Sequence, residues 1–230
     1  MFPCSNGTVK SKGDGTMKRT SRILKMQLFA VLVATACQAS TGTSVSGLWA
    51  KSLEAEADGD YVYALKYHEQ LPPKVGASYS AALRAGWLHY MNQDYSAALK
   101  HYEKAAGLSS GALAPLYGAM NCHVALKDNA RATRVAKAIL VIDELNYTAN
   151  KQLAAIYYAE GKFSLAAAYY RKLNRLYPED LAVASGLAWS YLEQGESRQA
   201  APLFKEILMV SPDYAYAERG LEICNRLARR

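Results

Sequence analysis

Hydrophobic and polar positions along this chain recur on two scales. The longer one is marked by alanines at Ala64, Ala98, Ala132, Ala166 and Ala200, each 34 residues after the last. Four residues beyond each anchor stand His68, Tyr102, Ala136, Tyr170 and Phe204, and seven beyond stand Leu71, Ala105, Ile139, Leu173 and Ile207. Steps of three and four residues return to the same side of a helix, so anchor, plus four and plus seven predict one buried stripe. Just before each anchor comes a turn: Gly59-Asp60-Tyr61, Gln93-Asp94-Tyr95, Lys127-Asp128-Asn129, Gly161-Lys162-Phe163 and Gly195-Glu196-Ser197. Upstream of the turns, Gly86-Trp87-Leu88-His89-Tyr90 and Leu187-Ala188-Trp189-Ser190-Tyr191 read as a preceding helix, and Pro178 and Pro212 close the last two periods. Each period is therefore two antiparallel helices, with a small anchor that allows close approach and larger residues that fill the space between units.

A helix pair every 34 residues with this Gly, aromatic, Ala, aromatic, Pro order resembles the tetratricopeptide repeat family over residues 45–214, five units in register. The resemblance implies an all-α fold: a right-handed α-solenoid of five helix-turn-helix repeats with a C-terminal capping helix over residues 215–230. No unit buries its apolar face alone, so stability comes from stacking. Two departures are local. Pro72 and Pro73 cut the second helix of the first unit short, and Asn129 replaces the turn aromatic of the third. In the last helix Leu221, Cys224, Leu227 and Ala228 are expected to cover the fifth unit while Arg219, Arg226, Arg229 and Arg230 stay in water; the alternative is a sixth repeat of one helix.

In that family the first helices line a concave groove. The positions fifteen, eleven and eight before the anchors are expected to face it: Trp49, Leu53 and Glu56; Leu83, Trp87 and Tyr90; Tyr117, Asn121 and Val124; Lys151, Ala155 and Tyr158; Ser185, Trp189 and Leu192. All three tryptophans fall on this stripe. Large aromatics in a groove suit capture of an extended or helical segment of another protein. The family's clamp for acidic chaperone C-termini needs paired Lys and Asn positions, which Lys151 beside Ala155 and Asn121 beside Tyr117 do not supply.

Charge changes the picture at one end. The chain carries 27 basic and 20 acidic residues, net +7. Residues 1–39 hold six of the basic groups and one acid, so the rest is close to neutral, and no nucleic-acid partner is expected. Lys18, Arg19, Arg22 and Lys25 precede an apolar run, Met26–Ala36, that ends in Ala34-Thr35-Ala36. Basic, apolar, then small is the order of an export signal, here over residues 17–39, with residues 1–16 an upstream extension or mis-called start and 40–46 a polar linker. The run is shorter than the roughly 18–20 residues that span a bilayer. Cys37 followed by a polar stretch resembles the lipidation box of bacterial lipoproteins, although Ala34 stands where Leu is usual. Simple cleavage and acylation at Cys37 both stay open.

Little points to chemistry. His89 and His123 occupy equivalent places on successive helices, but Tyr157 and Tyr191 replace them in later units, which favours helix packing over metal binding. No phosphate loop, nucleophile triad or metalloprotease string is present, so no enzyme activity, cofactor or metal is expected. The expectation is a non-catalytic protein-protein interaction scaffold of the periplasm or envelope, binding a peptide or protein segment in an aromatic groove. The alternative is a self-associating structural module whose groove is filled by its own linker or tail.

Overall fold

The computed structural model describes residues 44–229, and those residues contain helices but no strand. They belong to two compact bodies, one ending at Pro72 and the other beginning at Pro73. The expectations for residues 1–16, for 17–39 with Cys37, and for most of 40–46 fall outside the described residues.

The first body holds the pair α1 (Val45–Ala57) and α2 (Tyr61–Glu69). Ser44 caps α1 through the Gly47 N–H and Asp60 caps α2 through the Tyr63 N–H. Ser52 donates to the Ala64 carbonyl at 3.0 Å, which ties the two helices together at the anchor. At 9 residues α2 is shorter than the 14-residue second helices that follow, as the Pro72-Pro73 break requires.

The second body begins with a single turn, α3 (Pro73–Gly76), followed by four pairs. These are α4 (Tyr79–Met91) with α5 (Tyr95–Leu108), α6 (Leu113–Ala125) with α7 (Asn129–Ile142), α8 (Tyr147–Ala159) with α9 (Phe163–Leu176), and α10 (Leu181–Glu193) with α11 (Ser197–Val210). A last helix, α12 (Ala215–Ala228), packs on α11 and α10. The helices stack in chain order as a helical solenoid, each against its sequence neighbours.

The 34-residue register is visible in the packing. All five anchors, Ala64, Ala98, Ala132, Ala166 and Ala200, are fully buried. Ala105, Ile139, Leu173 and Ile207 behind them are buried as well. The ring four after an anchor enters a glycine notch on the first helix of the next repeat. A Cβ placed on Gly118 would stand 2.2 Å from Tyr102 Cζ, one on Gly186 would stand 2.5 Å from Tyr170 Cζ, and one on Gly220 would stand 2.2 Å from Phe204 Cζ. In the third repeat Ala136 stands where the rings do and the matching notch position is Gln152, so no glycine is needed.

The notch at Gly220 and the helix start after Tyr214 put α12 in register as the first helix of a sixth repeat, since Gly186 and Asp180 lie one period earlier. Its chemistry nevertheless differs from that of the other first helices. Where α10 turns Ala184, Ala188 and Tyr191 inward, α12 carries Glu218, Glu222 and Asn225, all exposed. Helix α12 thus covers the fifth repeat with one side, through Ala217, Gly220 and Cys224, and meets water with the other. Leu227 and Ala228, expected to help with that cover, are exposed instead in the last turn of α12.

Candidate functional site

The second body carries an open cavity of about 590 Å³ bordered by α8, α9, α10 and α12. Trp189, Ser185 and Gly186 come from α10, Tyr158 from α8 and Tyr170 from α9, while Tyr216, Arg219 and Ile223 come from α12. Gly186 lacks a side chain because the Tyr170 ring occupies the space, and this is why a second-helix tyrosine reaches the cavity wall. Tyr170 and Tyr158 both have their phenol pKa raised, chiefly by burial, with the Glu193 charge adding to it for Tyr158. Both are therefore neutral hydroxyls at physiological pH, able to donate or accept. Glu193 and Arg219, both exposed, place one charge of each sign at the border.

Two of the sequence-predicted groove residues, Tyr158 and Trp189, line this cavity, as does Ser185 of the same stripe. Trp189 is half-buried: its ring meets Phe204 edge-on at 5.5 Å, and its Nε1 is buried with no hydrogen-bond partner among the described residues. Trp189, expected to face the groove, therefore also takes part in the packing. Leu192 also belongs to the buried cluster around Phe204 and Ile207, because that side of α10 meets both α11 and α12.

The remaining stripe residues do not gather at one place. In the first body Trp49 is half-buried and packs edge-on against His68 at 5.4 Å. Leu83 and Tyr90 pack on the Ala98, Tyr102 and Cys122 cluster, and Trp87 beside them is half-buried. Tyr117 lies on the Met120 cluster, and its hydroxyl accepts from Asn146 Nδ2 at 2.6 Å, which joins the third repeat to the cap of the fourth. Asn121 is exposed.

Lys151 is tied within the stack. Its ammonium donates to the Tyr147 hydroxyl at 2.6 Å, which in turn donates to Asp180, the N-cap of α10. The bond to Tyr147 raises the Lys151 pKa against the effect of burial, and the Asp180 charge adds to the rise. Burial alone would lift the Asp180 carboxyl, but hydrogen bonds from Tyr147 and the Val183 N–H, with Lys151 and the Ala182 N–H, leave it lowered. This arrangement fixes one first helix against the next and leaves Lys151 an engaged cation.

The sequence reading missed the lining residues of α12, and with them Tyr170 of α9 and Ala182, Gly186 and Glu193 of α10. Arg219 and Ile223 stand 34 residues after Ser185 and Trp189, so one more period of the same stripe finds them. Tyr216 likewise repeats Ala182, another lining residue.

Elsewhere the titratable groups are packing elements. His89 stacks on His101 at 5.0 Å. Cys122 and Cys224 are buried free thiols, and burial lifts Cys122 to about 11. Among the described residues no group of three or more His, Cys, Asp or Glu side chains is placed to hold a metal ion, and no helix is long and apolar enough to cross a membrane.

A register of antiparallel helix pairs with an aromatic-lined cavity along the first helices defines a helical-repeat protein whose fold is that of a protein-protein interaction scaffold. Residues 157–221 match the family profile described as tetratricopeptide repeat, and the stacked helix pairs have the fold of that family. No curated protein matches the sequence. Solved structures share the fold at low identity. A tetratricopeptide repeat protein from Parabacteroides merdae ATCC 43184 superposes with a TM-score of 0.70 at 16% identity, over 81% of this chain and 74% of that one. MamA from Desulfovibrio magneticus RS-1 gives 0.66 at 16% identity, over 76% of this chain and 99% of that one. YrrB, described as a TPR protein with an unusual peptide-binding site, gives 0.63 at 16% identity, over 82% of this chain and 97% of that one.

Proposed function

We propose that this protein is an exported, non-catalytic scaffold of the periplasm or envelope that captures a segment of another protein in the cavity beside Trp189. The observation that carries the reading is the lining: Tyr158, Tyr170, Tyr216 and Trp189 surround about 590 Å³ of open space, with Arg219 and Glu193 at its border. Aromatic walls desolvate readily and make broad contact with an apolar or aromatic side chain, while one cation and one anion orient the residues beside it. YrrB, which shares the fold, is itself described by a peptide-binding site. Export is supported by the basic, apolar and small order of Lys18 to Ala36, and a lipid anchor by Cys37 after it. The outward side of α12 gives no support to the self-associating alternative, since it turns Glu218, Glu222 and Asn225 into water.

Trp189→Ala is a poor test because the indole also packs on Phe204. Tyr216 is 71% exposed and Arg219 is exposed, so Tyr216→Ala/Arg219→Ala disturbs the border and spares the stack. Peptides selected from a random library and titrated by Trp189 fluorescence are expected to bind at least about tenfold more weakly to the double variant, a loss of about 1.4 kcal/mol. Selected peptides that bind both proteins equally would rule the cavity out. Intact mass from fractionated cells tests export separately, since an uncleaved N-terminus contradicts it and an acyl mass on Cys37 identifies the anchor.

A further inference from the structure

The second helices carry a pattern that peptide capture does not use. At about 100° per residue, positions two, five, six and nine after each anchor point away from the buried stripe. In α5, α7, α9 and α11 those sixteen positions hold eight Lys or Arg and two acids, Glu103 and Glu206, and the α7 and α9 sets contain no acid. Lys100, Arg134, Lys137, Arg175 and Lys205 are exposed and form no ion pair among the described residues. The near-neutral total of the body hides this, because the balancing acids sit largely in caps and loops such as Asp94, Asp128 and Glu196.

Aliphatic side chains accompany the basic ones. Val141 and Met209, both at position nine, are 87% and 77% exposed. At position ten the same kind of residue recurs in all four helices: Leu108, Ile142, Leu176 and Val210, each exposed. Position ten follows position six by one helical turn, about 6 Å along the axis, and in α5 and α9 that neighbour is basic, Lys104 and Lys172.

We infer that the outer face of α5, α7, α9 and α11 docks on an anionic lipid surface. The basic groups are spread over four helices instead of converging on one point, which suits an extended sheet of negative charge better than a single ion. Exposed aliphatics gain by entering the headgroup boundary beside anionic lipids, whereas they gain nothing against phosphates in water. None of the sixteen outward positions is aromatic, so the stacking platforms that single-stranded nucleic acid uses are missing. This inference does not depend on export or on the cavity.

The test is co-sedimentation of the full chain with phosphatidylcholine vesicles and with vesicles containing about one third phosphatidylglycerol. Binding to the anionic vesicles is expected to be at least about tenfold stronger and to weaken with salt. Arg134→Glu/Lys137→Glu/Arg175→Glu/Lys205→Glu is expected to remove that preference while keeping the helical circular dichroism. Val141→Ser/Met209→Ser is expected to weaken binding severalfold. The basic N-terminal segment is controlled by Lys18→Ser/Arg19→Ser/Arg22→Ser/Lys25→Ser, which is expected to retain the array's share. Binding that survives the four reversals, or that vanishes with the N-terminal changes alone, overturns the inference. Duplex DNA that displaces the vesicles while the Val141/Met209 variant binds like the parent would show a general polyanion face, and the lipid assignment would fall.

Discussion

The turns of repeats two and three and those of repeats four and five reach the same shape by different means. In all of them the residue five before the anchor has a left-handed backbone: Gln93 and Lys127 at φ 62° and 58°, Gly161 and Gly195 at 71° and 79°. Glycine takes this conformation freely, whereas a residue with a Cβ is strained in it. The next position reverses the advantage. Asp94 and Asp128 cap the following helix, accepting from the Ala97 and Arg131 N–H groups at 3.1 and 3.0 Å, while Lys162 and Glu196 make no side-chain cap. Only the first repeat joins both devices, in Gly59-Asp60. Because the repeats tolerate either omission, the turn geometry is imposed by the stacked helices more than by the turn residues themselves.

The comparison predicts a descending order of effects. Removing inter-repeat packing should outweigh any turn. Phe204→Ala empties the Gly220 notch and the contact with Trp189, and is expected to destabilise by about 3–5 kcal/mol in urea unfolding. Gly118→Ala, in the other half, drives a methyl into the Tyr102 ring and should lose about 1–3 kcal/mol. If Gly118→Ala proves neutral, the ring-and-notch contact is softer than its geometry states. Supplying the missing caps comes next: Lys162→Asp and Glu196→Asp should each stabilise by about 1 kcal/mol, read as a rise in Tm. Smallest are Gln93→Gly and Lys127→Gly, expected to gain about 0.5 kcal/mol as relief of strain exceeds the added chain entropy. Swapping the two treatments, by putting Gly at 93 and Asp at 162 in one chain, should add their gains because the turns lie in separate repeats.

The fold was legible because each anchor alanine reports a place where two backbones touch, and no larger side chain fits there. The short α2 was legible too, since Pro72 and Pro73 prevent its helix from continuing. The site was half legible. Tyr158 and Trp189 of the stripe line the cavity, but Leu192 shares that stripe and is buried, since the helix periodicity says which way a residue points and not what the next helix covers. Arg219, read as solvated at the C-terminal end, and Tyr216 beside it escaped notice as lining because no sixth alanine announces their period. The signals that remained were Gly220 and the helix start at Ala215, both one period beyond their counterparts.

The interlocking of Tyr102, Tyr170 and Phe204 with the glycines ahead of them makes the joints directional, and not all joints are interchangeable. Excising residues 181–214, one whole period, would bring Tyr170 to Gly220 and restore a filled socket. Excising residues 147–180 would set Ala136 opposite Gly186 and leave a hole the size of a phenol. The array is thus a set of keyed parts, shortened with a matched joint at one seam and flawed when spliced at the next.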